Sequence, residues 1–147
     1  MLPALYLTRE SCQAVNQLSV LRNMEANRMS EEKAKNMEET SMQIIWHAGN
    51  SKSCSMEALA ASKSGNRELC QEKMNEARKE LQEAHQVQTD LLHDFANGER
   101  LPVDILMVHA QDHLNGAMLT NDFCRQMIEM NEEIQALTQK LESMSRE

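Results

Sequence analysis

Apolar residues recur at alternating spacings of three and four along most of this chain, and this pattern constrains its fold more than any other feature. Because an α-helix has about 3.6 residues per turn, such spacing gathers the apolar side chains on one helix face. Two interruptions, at Gly65-Asn66 and between Gly98 and Pro102, divide the pattern into three long segments. The sequence therefore predicts an all-α fold, an antiparallel up-down-up bundle of three helices.

Each of the first two segments carries a stripe of apolar or small residues. In the first, the stripe is Met42, Ile45, Trp46, Gly49, Met56 and Ala60. In the second, it is Cys70, Met74, Ala77, Leu81, Ala84, Gln88, Leu91 and Phe95. Gly65 suits a tight turn between them, and Asn66 is predicted to cap the second helix. Gly98 is predicted to end that helix, and Pro102 to occupy the first turn of the third.

The third segment carries two stripes, which we call the inner seam and the second seam. The inner seam is Val103, Leu106, Ala110, His113, Ala117, Cys124, Met127, Ile134 and Leu141. The second seam is Ile105, His109, Asp112, Gly116, Leu119, Phe123, Met130 and Leu137. One seam is enough for the core of a three-helix monomer, so the second favours a homo-oligomer over a different partner protein. The alternative is one wide apolar face that serves a single core.

Composition agrees with a helical, acidic domain. Only 3% of the 147 residues are aromatic and 4 are glycine, while 12 are methionine, which is not the usage of sandwiches or barrels. Lys and Arg number 15 against 23 Asp and Glu, a net charge of −8. An acidic surface repels phosphate backbones and anionic lipids, so we expect no nucleic-acid partner and no direct membrane insertion. An acidic surface is better suited to bind basic patches on other proteins.

The four cysteines and the N-terminus indicate a cytoplasmic protein. No pair among Cys12, Cys54, Cys70 and Cys124 has the spacing of a zinc or redox motif, so they are interpreted as reduced thiols. The apolar run at residues 2–7 is too short, and lacks the basic flank, for a signal peptide or membrane span. Residues 1–36 match neither seam and are interpreted as an arm or appended helix, with residues 37–147 as the three-helix domain.

The sharpest local feature is the sequence His-Ala-Gln-Asp-His at residues 109–113. Spacings of three and four place His109, Asp112 and His113 on one helix face. The cluster has three explanations: a metal pair, a histidine nucleophile with support, or polar residues satisfied within a core. A catalytic zinc also needs a third protein ligand and a cleft. A nucleophile needs one neutral imidazole with an exposed nitrogen, here His109, a neighbour that holds the ring, and a donor, with Gln111 or His113 as candidates.

Five short sequence motifs occur in order along the chain. They are Ala-Gly-Asn-Ser at 48–51, Met-Glu-Ala-Leu at 56–59, Glu-Ala-His-Gln-Val-Gln-Thr at 83–89, Gly-Glu at 98–99 and Leu-Met-Val-His-Ala-Gln-Asp-His-Leu at 106–114. Together they resemble the enzyme IIA component of the lactose/cellobiose type from the bacterial phosphoenolpyruvate-dependent sugar phosphotransferase system. The resemblance covers about residues 38–135, and the arm lies outside it.

The resemblance implies a homotrimeric phosphotransferase component with a covalent phosphohistidine. His109 matches the histidine that accepts a phosphoryl group from the phosphocarrier HPr through its Nε2 atom and passes it to a cysteine of the IIB component. Asp112 matches an aspartate on the threefold axis that shares a divalent cation, usually magnesium, among three subunits. Gln111 matches a residue suited to contact the phosphoryl group, and His113 is a candidate support.

The remaining expectations concern substrate and alternatives. The resemblance implies uptake of a β-linked disaccharide, and the motif at residues 109–113 is more similar to the cellobiose or chitobiose branch of the family than to the lactose branch. No glycine-rich phosphate loop occurs, so no nucleotide site is expected. His85 has no assigned role, and His47 and His93 are predicted to be ordinary surface histidines. The alternative function is a non-catalytic helical oligomerisation or regulatory module with the same fold.

Overall fold

Three helices make up the part of the chain that the structure, a computed structural model, describes: the backbone of residues 9–145 and the side chains of residues 17–145. They are α1 (Arg9–Lys63), α2 (Arg67–Ala96) and α3 (Ile105–Met144), with no strand in that range. Both α2 and α3 pack along α1, and they touch each other much less. The predicted all-α, three-helix fold is confirmed. The predictions for residues 2–7 and for the Cys12 side chain lie outside the described part.

Glycine and capping residues set the ends of the helices. Gly65 has a φ of +76° and Gly98 a φ of +91°, conformations that favour glycine, so both predicted turns are confirmed. Asn66 caps α2 as predicted, because its Oδ1 accepts a hydrogen bond of 3.1 Å from the backbone N–H of Leu69.

The predicted start of α3 is wrong. Pro102 lies in the connection of residues 97–104, and α3 begins at Ile105. Asp104 is the capping residue, because its Oδ1 accepts a hydrogen bond of 2.8 Å from the backbone N–H of Met107. A carboxylate in this position satisfies an amide that no earlier turn can reach, so it determines the first turn more strongly than the proline does. The cap places His109 in the second turn of α3.

The core face of α1 is built from small side chains, and the predicted α1 stripe is partly wrong. Met42, Trp46, Met56 and Ala60 are exposed. The buried face carries Met37, Ser41, Ile44, Ala48, Ser51, Cys54, Ser55, Ala58, Leu59, Ala61 and Ser62. Ser51 Oγ donates 2.8 Å to the carbonyl of Ala77, so a serine can be buried here without an unsatisfied hydroxyl. A pattern based on hydrophobicity passes over such residues.

The stripe predicted for α2 is largely confirmed. Cys70, Met74, Ala77 and Ala84 are buried, Leu81, Gln88 and Leu91 are half-buried, and only Phe95 in the last turn is exposed. On α3 the buried face is Met107, Ala110, Leu114, Ala117, Asn121, Cys124 and Ile128. Ala110, Ala117 and Cys124 of the inner seam are therefore correct, whereas Leu106 and His113 are half-buried.

Four residues predicted for the inner seam are not part of the core. Val103, Met127, Ile134 and Leu141 are exposed. The exposure of Leu141 has a simple reason. Asn131 and Gln135 both donate hydrogen bonds to the carbonyl of Ser62, in the last turn of α1. The turns that follow Gln135 therefore run past the end of α1 and have no core of their own chain to face.

The N-terminal half of α1 differs from the rest of that helix. The backbone is helical without a break from Arg9 to Lys63, so residues 9–36 continue directly into the bundle. Every side chain from 17 to 36 is exposed, and among the described side chains Met37 is the first that is buried. The division into an arm and a domain at residue 36 stays a prediction. No helix within residues 9–145 combines the length and the hydropathy that crossing a bilayer requires.

Candidate functional site

The histidine cluster lies on the outer side of α3, held by an inner side that packs on α1. Ala110 and Leu114 are buried in the core, whereas His109 and Asp112 are exposed. Because residues 109 and 112 lie on the opposite side of the helix from the buried pair, packing fixes the direction in which they project. His109 is thereby presented to solvent on a rigid helix near the end of the bundle where α3 begins.

His113 lies against His109. The two ring centroids are 4.4 Å apart and the ring planes meet at 74°, an edge-to-face arrangement. The spacing of four residues puts one ring directly beside the other on the helix surface. His113 is half-buried, so it limits the rotamers open to the exposed imidazole of His109. The structure therefore brings together the two histidines that the sequence pairs.

Gln111 points to the other side of α3, towards α2. Its Oε1 accepts a hydrogen bond from Nε2 of Gln88, and its own Nε2 donates to the Met107 sulfur at 3.4 Å. Sequence reasoning placed Gln88 on the α2 stripe but gave it no functional role. Its position in the family-like motif at residues 83–89 is the signal that could have pointed to Gln88.

Gln88 and Gln111 are polar members of the lining of a cavity of about 290 Å³ beside the cluster. Val108 and Gln111 bring the cavity within one or two residues of His109 along α3. The walls are otherwise apolar and come from all three helices and the 97–104 connection: Met37, Leu91, Leu92, Phe95, Leu101, Pro102, Val103 and Met107. The arrangement is an apolar recess with two amide groups, and His109 is not among the residues that line it.

A metal site needs more ligands than one copy of this cluster provides. Among the described residues, no three His, Cys, Asp or Glu side chains are placed to hold one ion. The zinc-enzyme explanation of the motif therefore lacks its third ligand within that part of the chain. Asp112 supplies one exposed carboxylate, a ligand type that Mg²⁺ prefers, and water completes the rest of the octahedral shell of this ion, so Asp112 fits the cation that the resemblance implies.

The other histidines are of two kinds. His85 and His93 are exposed on α2, as predicted for His93. His47 is not an ordinary surface histidine. It is half-buried, and its Nδ1 lies 2.9 Å from Oε2 of Glu80, which also accepts a hydrogen bond from Asn50. These contacts tie α1 to α2 and place His47 in a structural role.

The cysteines whose side chains are described do not form a reactive site. Cys54, Cys70 and Cys124 are free and buried. Burial raises the pKa of all three thiols, and nearby carboxylates, Glu76 above all, raise that of Cys54 further. A raised pKa keeps a thiol protonated at neutral pH and lowers its reactivity. The interpretation of these residues as reduced structural thiols fits this environment.

Comparison with known proteins identifies the family. The family model described as the lactose/cellobiose-specific IIA subunit of the PTS matches residues 39–132 of the chain. The chain belongs to this family. The match includes the cluster at 109–113 and the motif that contains Gln88, and it leaves out all of the exposed N-terminal half of α1.

Relatives and solved structures agree. The chain is 47% identical over 98 residues to a lichenan-specific phosphotransferase enzyme IIA component of Bacillus subtilis, a match covering 67% of this chain and 89% of that protein. It is 35% identical over 103 residues to the N,N'-diacetylchitobiose-specific IIA component of Escherichia coli K12, covering 70% and 89%.

Similar solved structures include the following two. The cellobiose-specific enzyme IIA of Bacillus anthracis has a TM-score of 0.65 and 34% identity, over 67% of this chain and 90% of that one. The IIA component of the complex between IIA(chitobiose) and HPr from Escherichia coli has a TM-score of 0.56 and 31% identity, over 67% and 95%.

Proposed function

We propose that this IIA protein is a phosphoryl carrier that accepts a phosphoryl group on His109 and passes it to a partner. The observation that carries the proposal is the exposed His109 imidazole, braced by His113 at 4.4 Å within the family-matched segment. Neutral imidazole is a competent nucleophile at physiological pH, so no further residue need deprotonate it. An exposed position suits a group that must meet two different proteins in turn.

The transfer step needs positioning more than covalent chemistry by the protein. The Nε2 lone pair of His109 attacks phosphorus in line with the P–N bond of the donor phosphohistidine. That bond breaks and its electron pair returns to the donor imidazole, which leaves neutral because its other ring nitrogen carries a proton. The proton on His109 Nδ1 is not moved. In the second step the P–N bond at His109 breaks as a cysteine thiolate attacks. Because the transition state is loose, orientation and the surrounding donors supply most of the rate enhancement.

The proposed partners follow from the relatives. HPr is proposed as the donor, because a similar IIA protein is named in a complex with HPr. The proposed acceptor is the cysteine of a IIB component. The proposed sugar is a β-linked disaccharide or related oligosaccharide, since similar chains are named for lichenan, cellobiose and N,N'-diacetylchitobiose as well as for galactose and lactose. The cytoplasmic location stays a prediction.

We also propose that the protein assembles as a homotrimer through the second seam of α3. Ile105, Leu119, Phe123, Met130 and Leu137 on that seam are all exposed in the single chain, and such a stripe is a typical oligomer surface. A threefold axis along this seam brings three copies of Asp112 together. Mg²⁺ held by them would offset the repulsion between the three carboxylates.

Phosphate uptake by histidine variants tests the proposed function. After incubation with phosphoenolpyruvate, enzyme I and HPr, the intact wild-type chain should gain one acid-labile phosphoryl group. His109→Gln should gain none and keep the same helical content, His113→Gln should be slowed only, and His93→Gln, on the exposed surface of α2, serves as the matched control. A His109→Gln chain that still took up phosphate would refute the assignment. A wild-type chain that took up none would favour the non-catalytic alternative.

A further inference from the structure

The N-terminal half of α1 meets the connection between α2 and α3 in a groove, which we call the arm groove. Residues between 26 and 34 of α1 form one wall and residues 100–102 of the connection form the other, around a volume of about 560 Å³. Met29 gives the groove apolar surface and is 59% exposed. The first wall lies wholly outside the family-matched residues 39–132. The groove therefore depends on a part of the chain that the family model does not include.

The arm groove is basic although the chain is acidic. Lys33 lines one wall and Arg100 the other, and none of the described residues that line the groove carries a carboxylate. Neither basic side chain forms an ion pair with another described residue. Arg22, three helical turns before Lys33, lies within about 20° of the same face of α1. In a chain of net charge −8, the groove therefore presents an uncompensated positive charge.

The carboxylates that are nearest in the sequence do not neutralise this charge. On α1, Glu25 and Glu32 lie about 80° and 100° round the helix from Lys33. On the connection, Glu99 does not line the groove, and the carboxylate of Asp104 caps α3. An anionic group from outside the chain can therefore bind between the two basic side chains without displacing a partner of either.

The arm groove lies at the end of the bundle that carries the candidate site. It shares Leu101 and Pro102 with the 290 Å³ cavity, and Val108 of that cavity is adjacent to His109 in α3. Residues 17–36 continue from this end as a helix about 30 Å long, at a rise of about 1.5 Å per residue. A protein that comes to His109 therefore meets the groove and this projecting helix beside the site.

The comparisons favour the acceptor over the donor as the partner that uses the groove. The IIA(chitobiose) chain named in a complex with HPr matches over 95% of its own length, which leaves 5% of it beyond the match. That remainder is too short for a helix comparable to residues 17–36. A IIA protein is thus named in a complex with HPr without such a helix. A feature outside the family-matched range is better suited to a partner that belongs to one transport system.

We propose that the arm groove docks an acidic segment of the protein that accepts the phosphoryl group from His109. Lys33 and Arg100 bind the carboxylates of that segment, and Met29 packs against an apolar side chain beside them. The inference rests on the proposed function, because it takes a IIB component as the acceptor. It gives α1 a role in specificity. Since the chain as a whole is acidic, it repels an acceptor whose acidic segment does not reach the groove.

Charge reversal in the groove tests the proposal on the full chain. The groove variant carries Lys33→Glu and Arg100→Glu, and the matched control carries Arg28→Glu and Lys35→Glu. Both variants have the same net charge, and all four side chains are exposed. Arg28 and Lys35 do not line the groove, because they lie about 140° and 160° round α1 from Lys33. Circular dichroism should show the same helical content in both variants.

Single-turnover transfer from the phosphorylated chain to the IIB component of its transport system measures the effect. The groove variant should need about 10-fold more IIB for its half-maximal rate, with the maximal rate unchanged, because docking is altered and the chemistry at His109 is not. The control should change by less than about 2-fold. The half-saturating concentration of phospho-HPr should be the same in the two variants. Lys33→Arg with Arg100→Lys, which keeps both charges, should transfer like the wild type.

A photo-cross-linker tests the position of the acceptor without reversing any charge. Benzoylphenylalanine in place of Ser30, which lines the groove, should cross-link to IIB and not to HPr. The same group in place of Arg28, about 160° round α1 from Ser30, should cross-link to neither. Capture of HPr or of a second copy of this chain from position 30, with no capture of IIB, would overturn the proposal.

The remaining outcomes distinguish this inference from the proposed function. A wild-type chain that takes no phosphate from HPr, or passes none to IIB, defeats the proposed function itself. If the wild type does both and the groove variant needs no more IIB than the control, only this inference is overturned. The same holds if the groove variant loses affinity for phospho-HPr as much as for IIB, since the groove then does not distinguish the acceptor.

Discussion

The two faces of α3 differ in what they are made of and in what surrounds them. The inner face, with Ala110, Leu114 and Asn121, is buried against α1 and is built mainly from small side chains. The outer face, with His109 and Asp112, is exposed, and large apolar residues follow the two polar ones along it: Leu119, Phe123, Met130 and Leu137. One side of α3 therefore packs in the core, and the other side presents the proposed phosphoryl site and assembly surface.

The contrast shows how a narrow bundle can have a rigid site without a deep cleft. Because the inner face fixes the rotation of α3, the direction of each outer side chain is fixed as well. Packing of Leu114 thus orients His109 although the two side chains lie on opposite sides of the helix. Substitutions on the inner face should change the stability of the fold, and those on the outer face should change transfer or assembly.

The largest stability effect is expected on the inner face. Leu114 is 2% exposed, and Leu114→Ala should lower the free energy of unfolding by about 2 to 5 kcal/mol, because the cavity is only partly refilled. Leu119→Ala, at a side chain 57% exposed on the outer face, should cost the isolated chain less than about 1 kcal/mol. Urea unfolding measures both changes in free energy, at protein concentrations low enough to dissociate any oligomer. Equal losses in the two variants would contradict the assignment of the faces.

A smaller effect is expected from the polar member of the inner face. Asn121 is buried and its Nδ2 donates to Ser55 Oγ at 3.2 Å, so Asn121→Ala should cost about 1 to 2 kcal/mol. Asn115→Ala, exposed on the same helix, should change stability by less than about 0.5 kcal/mol. The same unfolding measurement compares them. An Asn121 variant as stable as the wild type would show that the hydrogen bond to α1 does not contribute.

On the outer face, Asp112→Leu should leave the proposed trimer intact or strengthen it, because it removes like charges that an interface would otherwise bury. A chelator should weaken the wild-type trimer and leave the Asp112→Leu trimer unaffected. Sedimentation at micromolar concentration, with and without Mg²⁺, distinguishes the two. A wild-type chain that remains monomeric in saturating Mg²⁺ would argue against assembly through this seam.

The smallest effect is expected from the N-terminal half of α1. A variant that begins at Met24 loses only side chains that are exposed where the structure describes them, so its unfolding free energy should change by less than about 1 kcal/mol. It should accept phosphate at the wild-type rate. Thermal unfolding followed by circular dichroism checks the first point. Loss of the cooperative transition would show that this part of α1 supports the core.

The sequence predicted helix number, order and turns well, because Gly65, Gly98 and Asn66 act through local backbone chemistry. It predicted the core of α1 poorly. Ser51 is buried by a hydrogen bond to the backbone of α2, a partner 26 residues away that no local pattern reveals. Trp46 was placed in the α1 stripe for its apolar character, yet it is 67% exposed.

The candidate site shows the same division. Local spacing was enough to pair His109 with His113, since both lie on one helix. The link between Gln88 and Gln111 joins two helices and depends on their relative rotation, so spacing alone did not reveal it. What a second or third copy adds to the site depends on contacts between chains, which the sequence of one chain suggests only through the second seam.

Locating the phosphoryl group on the wild-type chain tests the central claim most directly. The chain is phosphorylated by enzyme I and HPr and kept at alkaline pH, and the modified nitrogen is identified by phosphorus and nitrogen NMR together with peptide mapping. We expect one phosphoryl group per chain, bonded to Nε2 of His109, and its disappearance when a IIB component is added. A phosphoryl group on His113, His85 or any other residue, or a His109 phosphate that IIB cannot remove, would contradict the account.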